Sequence, residues 1–278
     1  MNPLLNFTHF TTIPGISGAS GIYYEKDNLY LISDDSYALY RYTISTQLLQ
    51  AINLNPDKAL EAQITKKLKP DFEAFTKQGN SFFIFGSGSA QNRFNMRKVN
   101  ADFSRIENFS LQNLYNEMMQ FSSVVQEDFN IEGIILSGET AYFFNRGNGP
   151  NKKNGIISVE NWQGTEPHKI SFKPIDLPKI NGGISDFTDA ILDNDTIYFT
   201  ASSEDTISTY DDGAVLGSGI GKISFQNFEL QDFKIISNKF KIEGLTIFEK
   251  SETGISFLLC EDSDSDNSET QIFRYDWK

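Results

Sequence analysis

Along most of the chain, apolar and polar residues alternate over short runs, the period of β-strands with at least one buried face. The clearest instance is "GIILSGETAYFFNR" from Gly133, in which two apolar stretches flank the turn signal "SGET" and predict a hairpin. The same frame recurs at "GIYYEKDNLYLISD" from Gly21, "AFTKQGNSFFIFGS" from Ala74 and "DAILDNDTIYFTAS" from Asp189. A fifth copy, "GLTIFEKSETGISFLLCE" from Gly244, is four residues longer, with the extra residues expected in its turn. Starts at 21, 74, 133, 189 and 244 are spaced by 53, 59, 56 and 55 residues, a period that signals an array of supersecondary units. Further strand-like sequence follows each hairpin, such as "ALYRYTIST" and "QLLQAINL" after the first.

Four strands per unit of this length is the pattern of a propeller blade. The expectation is an all-β fold, a single β-propeller domain over residues 1–278 with five blades of four antiparallel strands, or six if one repeat is degenerate. The last repeat leaves room for three strands, ending in "TQIFRYDW"; the N-terminal "LLNFTHFT" would supply the fourth and close the ring. Closure removes the sheet edges that would otherwise invite aggregation. Two segments depart from the strand period. "PDKALEAQITKKL" (56–68) and "LQNLYNEMMQF" (111–121) have helical spacing, and both precede a repeat start. They are expected as two short helices over one face, as packing caps or as a lid.

Composition narrows the function classes. With 24 Phe and 13% aromatic residues the chain can build a core, which excludes a disordered protein. A net charge of -13 disfavours nucleic acid and anionic membranes as partners, while an acidic surface concentrates cations. The one cysteine, Cys260, permits no intrachain disulfide. "MNPLLNFTHF" lacks the basic and apolar regions of a signal peptide, and no long apolar run occurs, so a soluble, cytoplasmic protein, monomeric by preference, is expected.

In a propeller, the residue before each repeat start and the residue at its end belong to one face of the ring. The first set is Ser20, Glu73, Glu132, Thr188 and Glu243; the second is Asp34, Ser87, Arg146, Ser202 and Glu261. Three carboxylates converging at the channel mouth repel one another and need protons, the Arg146 guanidinium or a bound cation. Oxygen ligands suit a hard cation, Ca²⁺ before Mg²⁺ or Mn²⁺, held by Glu73, Glu132 and Glu243 with Asp189 nearby. The competing role for these glutamates is to tie neighbouring blades together through backbone N–H groups. Arg146 either neutralises them or, with Arg93, holds an anionic group through its fork of donors. Asp34, Ser87 and Ser202 complete the candidate ligand face. The segment "ASSEDTISTYDDGAVLGSGIG" (201–221) adds Glu204, Asp205, Asp211 and Asp212 on a long loop. "DSDSDN" (262–267) begins like a calcium loop but has Asn267 where Gly belongs, and is expected as a solvated acidic loop. No nucleophile elbow, zinc motif, phosphate loop or dinucleotide fingerprint occurs.

The repeats "FEAF", "IEGI" and "IEGL", with "SDFTDA" and the 201–221 stretch, resemble an uncharacterised family of bacterial β-propellers, itself distantly similar to esterase-like phytase propellers. The resemblance implies a propeller with a polar, metal-binding funnel and, at most, a phosphoester or ester hydrolase. Glu73, Glu132 and Glu243 match its repeated acidic residue, whereas Ser20 and Thr188 depart from it. Two functions follow. One is a metal-dependent hydrolase of a phosphoester, ester or lactone, with Arg146 holding the anionic group and Glu204 as general base. The other is a non-catalytic propeller that binds a small polar ligand, a glycan or a protein, with the acidic ring structural.

Overall fold

The computed structural model describes residues 6–61, 63–164, 167–205, 213–262 and 268–278. Strand β1 (Phe7–Pro14) precedes the first blade. Blade 1 holds β2 (Gly21–Glu25), β3 (Asn28–Ile32), β4 (Ala38–Thr43) and β5 (Leu48–Asn53); blade 2 holds β6 (Phe72–Gln78), β7 (Ser81–Gly86), β8 (Asn95–Asn100) and β9 (Ile106–Ser110). The helix α1 (Gln112–Ser122) leads into blade 3, made of β10 (Ile131–Ser137), β11 (Thr140–Asn145), β12 (Gly155–Glu160) and β13 (Lys169–Pro174). Blade 4 is β14 (Asp186–Asp193), β15 (Thr196–Glu204), β16 (Val215–Ser224) and β17 (Leu230–Ser237). In blade 5, β18 (Ile242–Ser251), β19 (Gly254–Glu261) and β20 (Glu269–Trp277) are joined by β1, which pairs antiparallel with β20. The result is a five-bladed β-propeller closed between the two ends of the chain.

Each blade is apolar on both faces, so its residues pack into two junctions rather than one central core. Five buried clusters result, one per junction. Between blades 3 and 4, Phe144 meets Phe187 at 5.2 Å between ring centroids and Phe187 meets Phe199 at 5.1 Å, both edge to face.

The inner strands β2, β6, β10, β14 and β18 surround the channel. Four of them carry a β-bulge at the same place, after Phe72, Ile131, Phe187 and Ile242. The extra residues are Glu73, Glu132, Thr188 and Glu243. A bulge twists the strand and re-aims the side chain it adds. Behind it, the next residue faces the adjoining inner strand at close range. A Cβ on Gly133 would sit 3.0 Å from the Ala190 nitrogen, and one on Gly244 would sit 3.0 Å from the Ile22 nitrogen. The pair "EG" therefore combines a bulge that serves the channel with a backbone approach that only a minimal side chain permits.

Two expectations are corrected. Among its described residues, the 56–68 segment forms turns and irregular chain, so α1 is the only α-helix described. A helix there would need its apolar stripe packed, yet Leu60 and Leu68 are exposed, Leu68 by 71%. Instead the Ile64 N–H donates to the Asp35 carbonyl at 2.7 Å, and the chain turns to deliver Lys69 to the channel mouth. In the fifth hairpin the extra residues lengthen β18 and β19, leaving only Glu252 and Thr253 between them. By contrast, α1 is built into the junction of blades 2 and 3 through buried Leu114, Tyr115 and Met118, and the Tyr115 hydroxyl donates to the Gly86 carbonyl at 2.7 Å. It is a packing element. Among the described residues no helix is long and apolar enough to cross a membrane.

Candidate functional site

The two hydroxyl residues of the channel ring are blade ties. Ser20 Oγ donates to the Phe72 carbonyl and Thr188 Oγ1 to the Ile242 carbonyl at 2.8 Å, each reaching the bulge of an adjoining blade. A carboxylate cannot make that bond, because it has no proton to give. Glu73, Glu132 and Glu243 converge instead, with one oxygen from each lying within 4.8 Å of the others.

What surrounds each glutamate depends on the residue two positions earlier, which the strand period places on the same side. In blade 3 this is Asn130, whose Nδ2 donates to Glu132 Oε1 at 2.7 Å. In blade 5 it is Lys241, 3.0 Å from Glu243 Oε1. In blade 2 it is Asp71, a like charge. Glu73 therefore has no ion pair or hydrogen-bond donor among the described residues, although it is only 9% exposed. Burial and the nearby Glu132, Asp71, Asp34 and Glu243 all push its carboxyl well above the usual range. Burial likewise raises Glu132 and Glu243, with Arg146 and Lys241 pulling against it.

Internal cations hold the rest of the cluster. Arg146 is anchored on Glu204 at 2.6 Å and lies farther from Glu132 and Glu243, at 3.4 and 3.6 Å. Lys241 also approaches Glu204 at 3.4 Å and Asp262 at 3.6 Å. On the opposite side Lys69 bonds Asp34 and sits 2.9 Å from Asp71, while Arg93 bonds Asp71 at 2.7 Å. Asp34, Asp71 and Glu73 form a second carboxylate triplet that shares Glu73 with the first. Six carboxylates (Asp34, Asp71, Glu73, Glu132, Glu204 and Glu243) thus face four cations (Lys69, Arg93, Arg146 and Lys241), an excess of two negative charges before Asp186 and Asp262 are counted.

The other sequence candidates have different surroundings. Asp189 stands apart from the triplets: its Oδ1 accepts from the Ala190 N–H at 2.7 Å and its Oδ2 from the Leu245 N–H of the next blade at 2.9 Å. It is a blade tie in the position where other blades carry Gly or Ala. Ser202 Oγ bonds the Ser218 hydroxyl at 2.7 Å and the Ile242 carbonyl at 3.1 Å, and Ser87 Oγ bonds Asp71. Arg93 is 3% exposed and also donates to Ser89 Oγ at 2.6 Å. Asp211, Asp212 and residues 263–267 lie outside the described residues.

Sequence reasoning passed over Lys69, Asp71, Asp186 and Lys241. Three of them were within reach, because Asp71, Asn130, Asp186 and Lys241 occupy the same place two residues before each bulge. Reading the alternation one step further back finds the row. Lys69 comes from outside the repeat and carries no such signal. Beside the ring, a cleft of about 460 Å³ between blades 3 and 4 is lined by Arg146, Asp186, Glu204 and the backbone at Gly147 and Gly183.

Comparison with solved structures recovers the same architecture. An exo-1,5-α-L-arabinanase from a bovine ruminal metagenomic library aligns with a TM-score of 0.53 at 9% identity, over 96% of this chain and 94% of that one. A GH43 β-1,3-galactosidase aligns at 0.50 and 9% identity, over 93% and 56%. The tail fibre of Staphylococcus aureus phage P68 aligns at 0.50 and 12% identity over 97% of this chain, which spans only 52% of that protein. At such identities the likeness is one of fold. No curated protein matches the sequence. The sequence profile of a family of unknown function, DUF6929, matches residues 15–276, and the chain belongs to that family.

Proposed function

We propose that the channel mouth binds one divalent cation, Ca²⁺ before Mg²⁺ or Mn²⁺, between Glu73, Glu132 and Glu243. The observation that carries this reading is Glu73, a buried carboxylate shared by two acidic triplets and given no donor among the described residues. An uncompensated buried charge costs several kcal/mol, so such a group either keeps a proton or takes a cation. The three oxygens lie within 4.8 Å of one another, so one ion can reach all three, and Ca²⁺ tolerates irregular oxygen cages where Mg²⁺ demands shorter bonds and stricter geometry. Arg146 leaves Glu132 and Glu243 within reach of an ion because its short contact is with Glu204.

A cation held there would polarise a phosphoryl or carbonyl oxygen and acidify a bound water, which extends the proposal to hydrolysis of a phosphoester, ester or lactone. Glu204 is poorly placed as the base of that reaction, since Arg146 and Lys241 both hold it. Calorimetric titration of the chelator-treated protein with Ca²⁺, Mg²⁺ and Mn²⁺ tests the binding itself. One ion per chain is expected, lost in Glu73→Gln. Absence of binding for all three ions would leave the acidic ring a structural device.

A further inference from the structure

Two residues that line the cleft between blades 3 and 4 each carry a buried polar atom without a partner among the described residues, one a donor and one an acceptor. Asp186 is 7% exposed, its side chain makes no hydrogen bond or ion pair among the described residues, and its Oδ1 is buried. Arg146 is 4% exposed; its two terminal nitrogens face carboxylates, while its Nε–H is buried without a partner among the described residues. Both residues line the cleft. Arg146 is also the charge that most favours ionised Asp186, with Lys152 second.

An unsatisfied acceptor and an unsatisfied donor in one cleft are complemented by a group that both gives and accepts a proton bond. A hydroxyl does this; a carboxylate, phosphate or ammonium does only half. Two glycines let the backbone pack closely against the side chains of the cleft wall. A Cβ on Gly147 would lie 2.7 Å from Asp186 Oδ1, and one on Gly183 would lie 2.3 Å from Ser203 Oγ, so side chains at either place would intrude on the cleft wall. At the rim stand the exposed Lys152 and Lys179, with Ile184 40% exposed beside them.

We infer that this cleft is a binding site for a polyhydroxylated molecule, a sugar or polyol, one of whose hydroxyls accepts from Arg146 Nε–H and donates to Asp186 Oδ1. It adjoins the proposed cation site, sharing Arg146 and Glu204 with it, and stands whether or not an ion binds there.

The test is titration of the full, chelator-treated chain with D-glucose, D-galactose, L-arabinose and myo-inositol, followed by protein NMR. At least one of these binds in the millimolar range. Asp186→Ala weakens that binding about tenfold or more, as the loss of a hydrogen bond to a charged group does. Ile184→Trp, a change at an exposed rim position that leaves the fold alone, obstructs the cleft and weakens it as well. Glu73→Gln, which removes the cation site, leaves it unchanged, so failure of one site is distinguishable from failure of the other. The inference is overturned if none of the four probes binds. It is equally overturned if binding ignores both Asp186→Ala and Ile184→Trp, or if a high-resolution crystal structure with the probe present shows a bridging water only.

Discussion

At the scale of the residue, three glutamates written into the same motif have three different fates, decided by the side chain two positions earlier. Glu132 and Glu243 receive donors from Asn130 and Lys241, whereas Glu73 meets Asp71. Neutral isosteres of Glu73, of Glu132 and of the Arg146 partner Glu204 should therefore change stability in opposite directions. Glu204→Gln, which strips the 2.6 Å partner from a buried guanidinium, is expected to destabilise the fold by about 3 kcal/mol. Glu132→Gln loses a weaker contact at 3.4 Å and should cost about 1 kcal/mol. Glu73→Gln relieves a charge with no compensation and should stabilise the cation-free protein by about 1 kcal/mol. Urea denaturation of the three variants in chelator measures all of these. A destabilised Glu73→Gln would mean that the carboxylate has a structural partner after all. The acidic ring was legible in the sequence because the repeat marks its position. The difference between its members was not, since it depends on a second polar row and on Lys69, which an irregular segment brings in from outside the repeat.

At the scale of the element, the inner strand reconciles two demands at adjacent residues. The bulge turns one side chain to the channel, and the residue after it must let the neighbouring strand approach. Gly133→Ala would place a methyl carbon 3.0 Å from the Ala190 nitrogen and 3.2 Å from the Asp189 backbone, with no flexible side chain able to yield. The expected loss is about 1–3 kcal/mol, the range of overpacked sites, read as a lower denaturation midpoint. Gly138→Ala is the control: it has open space around it, and its cost should come only from its positive φ of 59°. Equal costs for the two would remove the close-approach explanation of the "EG" pair. Hairpins were legible at this scale because their alternation and turn residues are local. Helical spacing was not enough to specify a helix. Residues 111–121 have a hydrophobic groove to fill between blades 2 and 3, and 56–68 have none, so the same pattern gives α1 in one case and turns in the other.

At the scale of the whole molecule, the ring forces polar residues from five blades into one buried mouth, and the linkage of proton binding to folding follows. Burial raises Glu73, Glu132, Glu243 and Asp189 above the usual carboxylate range, holds Asp186 at about 6, and lifts Glu261 to about 7 with help from Asp262. A raised acid keeps its proton in the folded chain after the unfolded chain has released it. Its contribution is therefore complete below the ordinary carboxylate pKa and is lost as pH rises through the folded value, with a slope of about 1.4 kcal/mol per pH unit for each proton of difference. The carboxyls shifted the other way, the exposed Asp102 and the partly buried Glu117 and Asp276, titrate only below the ordinary range. In chelator, the melting temperature should fall between pH 5 and pH 8, against the usual trend for a protein stabilised by salt-bridged carboxylates. Protons and a divalent cation compete for Glu73, so saturating Ca²⁺ should raise the melting temperature more at pH 8 than at pH 5, and this difference should vanish in Glu73→Gln. A melting temperature that climbs from pH 5 to pH 8 without added metal would show that the internal cations already neutralise the mouth. The ring would then hold its charge by Lys69, Arg93, Arg146 and Lys241 alone.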